Sequence, residues 1–127
     1  MAGSVNRILV VEDDPELRTA LSALFRREGY EVFATEDGVQ AFTRAIKDVP
    51  GLVLLDLGMP RLNGYDACRR IREKPWGKDI FLIALTGWGQ DDDRRRTEAA
   101  GFNCHMVKPI NPRDLMKVLA QLQATAE

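Results

Sequence analysis

Cysteine is scarce in this chain: two residues, Cys68 and Cys104, in 127. They lie far apart, with no CxxC or zinc-type spacing. This excludes a disulfide scaffold and reads as two reduced, partly buried thiols of a cytosolic protein. An excess of charge of one sign is also missing. The formal net charge is −1, with acids and bases interspersed, which argues against nucleic-acid binding carried by net charge. No apolar run approaches the ~20 residues of a membrane span. Met1–Arg7 has no apolar core of a signal peptide. Linkers, repeats and low-complexity segments are absent.

What is present is enough for one domain, able to bury roughly 65% of its unfolded surface without a staple. Short apolar runs alternate with helical periodicity. Arg7–Glu12 reads as a buried strand ending in acids. Asp14 can cap a helix with Pro15 at its first position. Leu17, Leu21, Leu24 and Phe25 carry that helix to Arg27, and Gly29 ends it. Tyr30–Ala34 alternates, as a strand near an edge does. Asp37-Gly38 opens a second helix bearing Val39, Ala41, Phe42, Ala45 and Ile46. Leu52–Asp56 is apolar until its last residue, the mark of a strand buried on both faces. Asn63-Gly64 turns into a helix with Ala67, Cys68 and Ile71. Lys74–Lys78 is a loop, and Asp79–Thr86 is a fourth strand. Asp91–Asp93 leads into Arg94–Arg96, where acids suit a helix start and pair with bases three and four residues on. Asn103–Val107 is a short fifth strand. Asn111-Pro112 starts a last helix with Leu115, Val118, Leu119 and Leu122.

Five strand–helix units predict an α/β, flavodoxin-like doubly wound parallel sheet, (βα)5, with strand order 2-1-3-4-5 as the candidate. The residues that end the strands then gather on one edge: Glu12 and Asp13, Asp56, Thr86 and Lys108. Carboxylates crowded at a switch point repel and cannot all stay ionised without a cation. An all-oxygen, highly anionic set suits Mg²⁺. A lysine and a hydroxyl opposite it complete a clamp for a phosphoryl group in transit. Each residue alone has a plainer use, as turn, cap or surface charge; all of them at strand ends on one face do not.

The pattern Val10-Val11-Glu12-Asp13-Asp14, Leu55–Pro60, Ala84-Leu85-Thr86-Gly87 and Val107-Lys108-Pro109 resembles the receiver domain of two-component response regulators. The resemblance runs from about Arg7 to Leu122. It implies a tail over 1–6, a receiver over 7–124 and a tail over 125–127. It implies that Asp56 accepts a phosphoryl group from a histidine kinase or histidine phosphotransfer protein. Asp13, Asp56 and the Gly58 carbonyl would bind Mg²⁺, with Glu12 acting mostly through water. Thr86, Gly87 and Lys108 would receive the phosphoryl oxygens, and the bond before Pro109 would be cis. Such a domain is a cytoplasmic switch of phosphorelay signal transduction. It catalyses only its own phosphorylation and dephosphorylation, and it docks on an effector without touching nucleic acid directly. A phosphorylation-dependent dimer is compatible with it.

Three positions depart from common choices in that family. His105, the sole histidine, falls where an aromatic switch usually stands, and is read as a rotameric switch. Gly58 offers no side chain to position water, and Trp88 is large enough to shield a phosphoryl group; both are read as tuning its lifetime. The Thr86–Gln90 stretch looks most like receivers of hybrid histidine kinases. Three rivals were weighed. A haloacid-dehalogenase-type phosphatase needs an acid where Gly58 stands. A nucleotide or flavin binder needs a Gly-rich first loop in place of Glu12-Asp13-Asp14-Pro15. A receiver-like interaction module that is never phosphorylated would keep no need for its acids.

Overall fold

The computed structural model describes residues 6–59, 63–87 and 91–126. Five strands, β1 (Arg7–Val11), β2 (Glu31–Thr35), β3 (Leu52–Asp56), β4 (Phe81–Thr86) and β5 (Cys104–Val107), alternate with five helices. The helices are α1 (Pro15–Arg27), α2 (Gly38–Asp48), α3 (Gly64–Glu73), α4 (Asp91–Ala100) and α5 (Pro112–Ala126). All strand pairs are parallel, in the order β2-β1-β3-β4-β5. The doubly wound sheet expected from the alternation is therefore the observed one. Among the described residues, no helix is long and apolar enough to cross a membrane.

Period-two alternation divides the central strands between two apolar layers. Leu9, Val11, Val53, Leu55, Leu82 and Ala84 face α2, α3 and α4, where Ala41, Cys68, Ile71 and Ala100 meet them. Ile8, Val10, Leu52, Leu54, Ile83 and Leu85 face α1 and α5, against Leu21, Phe25, Leu115 and Leu119. Every residue of β3 is buried, as its unbroken apolar run requires. Each fully buried Leu, Ile or Phe here contributes about 1.5–3 kcal/mol.

Local signals set most boundaries. Asp14 accepts from the Glu16 N–H at 3.0 Å with Pro15 in the first turn. Asp37 caps α2 through Val39 N–H at 2.7 Å, and Asn63 caps α3 through Asp66 N–H at 3.3 Å. Gly29 and Gly101 take φ of +95° and +109° at the ends of α1 and α4. Where the observed elements differ from the expected ones, side chains or turns have taken the backbone groups. Tyr30 N–H closes the α1 turn on Phe25 O, so β2 starts at Glu31. Ile80 O is taken by Arg72, so β4 starts at Phe81 rather than Asp79. Asn103 Oδ1 accepts from Leu82 N–H, and β5 starts one residue later. The loop after α3 contains a single 3-10 turn, Pro75–Gly77. α5 runs to Ala126, taking in two residues of the expected tail. Val39, grouped with the apolar positions of α2, is 77% exposed. The side chains of 42, 45 and 46 lie outside the described ones.

The amino end of β4 and β5 is closed by Arg72. Its Nε donates to Gly101 O at 2.9 Å, and Nη1 donates to Gly77 O at 3.0 Å and Ile80 O at 2.6 Å. Nη2 donates to Asn103 Oδ1. Gly101 has no room for a side chain there: a Cβ would come 2.9 Å from Arg72 Cγ.

Candidate functional site

The carboxyl ends of β1 and β3 are neighbours because β1 pairs with β3, with Val11 opposite Leu55. This register brings together Glu12, Asp13 and Asp56, each with an oxygen within 4.8 Å of the others. Glu12 stands just past β1, its N–H held by Thr35 O at 3.0 Å. Asp13 is exposed, while Glu12 and Asp56 are buried. Lys108, on the loop after β5, reaches in from 52 residues away. Its Nζ donates to Asp56 Oδ2 at 3.0 Å and lies 3.1 Å from Glu12 Oε1. The Lys108–Pro109 peptide bond is cis.

Each carboxylate is held differently. Asp56 Oδ1 accepts from the Gly58 N–H at 2.8 Å, and Oδ2 from Lys108. Glu12 Oε2 accepts from the Asp14 N–H at 3.1 Å. Glu12 Oε1 has only the badly aimed ammonium nearby and no directed hydrogen bond, although it is buried. Burial, then the adjoining Asp56 carboxyl, pushes the Glu12 pKa up to about 7 against the pull of Asp14 N–H and Lys108. Burial works against the Lys108 ammonium, but the Asp56 and Glu12 carboxylates outweigh it and raise its pKa. Three acids thus crowd together, and one ammonium contacts two of them. A buried carboxylate oxygen without a donor, among hard oxygen ligands carrying excess negative charge, fits a small divalent cation such as Mg²⁺.

Thr86 ends β4 and is 5% exposed; Leu85 pairs with Asp56, which sets Thr86 at the rim of the same pocket. Gly87 follows it at the surface. The Lys108 N–H donates to Thr86 O at 2.7 Å, joining the two loops. His105 is not among the acids. It pairs with Ala84 along the sheet, and its Nδ1 lies 3.3 Å from Thr97 Oγ1 on α4. Because the Thr97 hydroxyl donates to Arg94 O at 2.8 Å, it can accept from His105, which selects the Nδ1–H tautomer. Nε2 is buried without a partner. Trp88 lies outside the described residues.

Sequence reasoning missed two features here. Gly58 was considered for its carbonyl, yet its N–H is what grips Asp56, and a Cβ at 58 would stand 3.3 Å from Asp56 Oδ1. Arg18 on α1 was passed over entirely. Its Nη1 donates to the Glu12 carbonyl at 2.9 Å and contacts that of Asp13 at 3.5 Å. The only signal was a basic residue one turn into the helix behind an acidic loop.

A doubly wound parallel sheet with an acid pocket and an opposing lysine at its switch point defines a class of signalling domain. Residues 8–120 match the response regulator receiver domain, and the chain belongs to that family. It is 33% identical over 114 residues to an uncharacterized 14.6 kDa protein of Leptolyngbya boryana, covering 90% of this chain and 87% of that one. It is 35% identical to the transcriptional regulatory protein ResD of Bacillus subtilis, covering 95% of this chain but 50% of ResD. Among solved structures, it is similar to the receiver domain of the sensor histidine kinase PA1611 from Pseudomonas aeruginosa PAO1, with a TM-score of 0.84 and 34% identity. That likeness covers 95% of this chain and 99% of the other, whose structure holds a magnesium ion in its active-site cleft.

Proposed function

We propose that this receiver domain is a Mg²⁺-dependent phosphoacceptor, loaded on Asp56 by the phosphohistidine of a kinase or a phosphotransfer protein. The observation that carries this reading is the buried Asp56 carboxylate, gripped by the Gly58 N–H and by Lys108 while Glu12 and Asp13 stand beside it. In the transfer, an Asp56 oxygen forms a bond to phosphorus as the P–N bond of the donor breaks. The imidazole leaves with the electron pair and takes up a proton. Mg²⁺, held by Asp13, Asp56 and the Gly58 carbonyl with Glu12 acting through water, supplies charge neutralisation when bound.

The chain's own groups do the rest. Lys108 exchanges its bond to Asp56 for one to the new phosphoryl oxygens. The Thr86 hydroxyl and Gly87 backbone close on the same oxygens. Because Lys108 N–H is tied to Thr86 O, movement at one loop is felt at the other. His105, joined to Thr97 of α4, stands where such a shift would be transmitted from β5 to the helix, a local electrostatic event biasing a two-state element. Docking of an effector on that changed surface is the output. With no side chain beside the phosphoryl position, Gly58 leaves water unpositioned, which lengthens the phosphorylated lifetime.

Intact-mass measurement after incubation with a small phosphodonor tests this. Wild type with Mg²⁺ gains one phosphoryl group. Asp56→Asn gains none, and EDTA abolishes the gain in wild type. No gain under any condition would leave an interaction module that is never phosphorylated.

A further inference from the structure

Asp13 is the exposed member of three crowded acids, and among the described residues no hydrogen bond or ion pair to its side chain is seen that would hold it inward against their repulsion. Its backbone is held. Arg18, with 23% of its side chain exposed, donates Nη1 to the carbonyls of Glu12 and Asp13 at 2.9 and 3.5 Å. The same guanidinium pairs with Glu36 Oε2 at 3.6 Å, on the loop after β2. It is therefore fastened both to the loop that precedes its own helix and to the loop after β2.

We propose that Arg18 is a positioning residue for the divalent-cation site, a role that rests on the Mg²⁺ reading above. By pinning two consecutive carbonyls toward α1, it fixes the backbone of Glu12 and Asp13. That conformation sends their carboxylates the other way, toward Asp56. The ligand set is then assembled before the cation arrives, so less ordering is left to binding. Groups behind metal ligands that fix them in this way typically account for 10–100-fold in affinity. The effect opposes simple electrostatics. A guanidinium behind an anionic loop repels a cation, so removing it without any positioning role would tighten Mg²⁺ binding.

Calorimetric titration of the unphosphorylated protein with Mg²⁺ separates the two, and unfolding of the metal-free protein is followed alongside. Arg18→Met should bind Mg²⁺ about 10-fold more weakly. Arg18→Lys keeps the charge, but its ammonium ends one atom short of the Nη1 that reaches both carbonyls, so it should recover only part of the affinity. Equal or tighter binding by Arg18→Met overturns the positioning role while the cation reading stands. If that variant fails to fold, the same criterion applies to Arg18→Lys, in which the charge is conserved. A wild type that does not bind Mg²⁺ overturns the cation reading itself, and the role of Arg18 with it. Glu36→Gln, removing an exposed and distant partner, should stay within about twofold of wild type.

Discussion

At the amino end of the sheet, one guanidinium meets five acceptors: Arg72 is shared among Gly77, Lys78, Ile80, Gly101 and Asn103. At the carboxyl end, three acids crowd together and one ammonium meets two of them, with Glu12 Oε1 left without a directed donor. Both ends place charge against the same buried core. At the amino end the described buried side chains all have partners, so their hydrogen bonds contribute stability. The carboxyl end carries an excess of negative charge, and that imbalance is what a cation can answer. Buried polar groups with full partners rigidify; those without are costly until a ligand arrives.

The contrast breaks most sharply at Arg72. Arg72→Met strands its carbonyl partners and should lower stability by roughly 2–4 kcal/mol in denaturant titration. Phosphoryl uptake by the folded fraction should be unchanged, because the clamp is at the far end from Asp56. Loss of uptake at full folding would show that the ends are not independent.

Glu12 sharpens the comparison through pH. Its folded pKa of about 7 lies above the ordinary 4.5, so between those values the fold holds a proton the unfolded chain has released. Metal-free stability is therefore favoured below pH 4.5 and falls as pH rises through 7, by roughly 1–3 kcal/mol. Mg²⁺ takes the ionised carboxylate, so its affinity should rise over the same window. Thermal unfolding across pH, with and without Mg²⁺, checks both slopes. Glu12→Gln should flatten the metal-free slope; a slope that survives must come from another group.

The smallest effect is expected at Val49, in the turn leading to β3 at the amino end. A β-branched residue at φ 40° is strained, and it is exposed. Val49→Gly should raise the unfolding free energy by about 0.5–1 kcal/mol after the entropic cost of glycine. No gain would mean that the turn relaxes that strain in another way.

The sequence showed the carboxyl end better than the amino end, for a physical reason. Glu12, Asp13, Asp56, Thr86 and Lys108 each interrupt or end an apolar run, so their positions announce themselves once strands are drawn. The alternation predicts a doubly wound parallel sheet, with 2-1-3-4-5 as its candidate order. Arg72 and Asn103 lie in polar stretches where any polar residue would look like solvent-facing surface; Arg72 donates mostly to backbone carbonyls and Asn103 accepts from a backbone N–H, groups that carry no sequence signature. Arg18 was hidden in the same way. His105 stood out as the single histidine, but its partner Thr97 is a buried hydroxyl on a helix otherwise rich in charge. Only the packing of α4 on β5 joins them.

The distance along the chain from Asp56 to Lys108 carries a consequence for synthesis. A ribosome adding about 5–20 residues per second needs roughly 3–10 s to cover those 52 residues. During that interval the emerging chain already holds Glu12, Asp13 and Asp56 but not their ammonium. Closing the ends of β1 and β3 then brings carboxylates together, a cost that the proton favoured by the raised Glu12 pKa reduces. The loop after the last strand therefore acts as the clasp of the nascent domain.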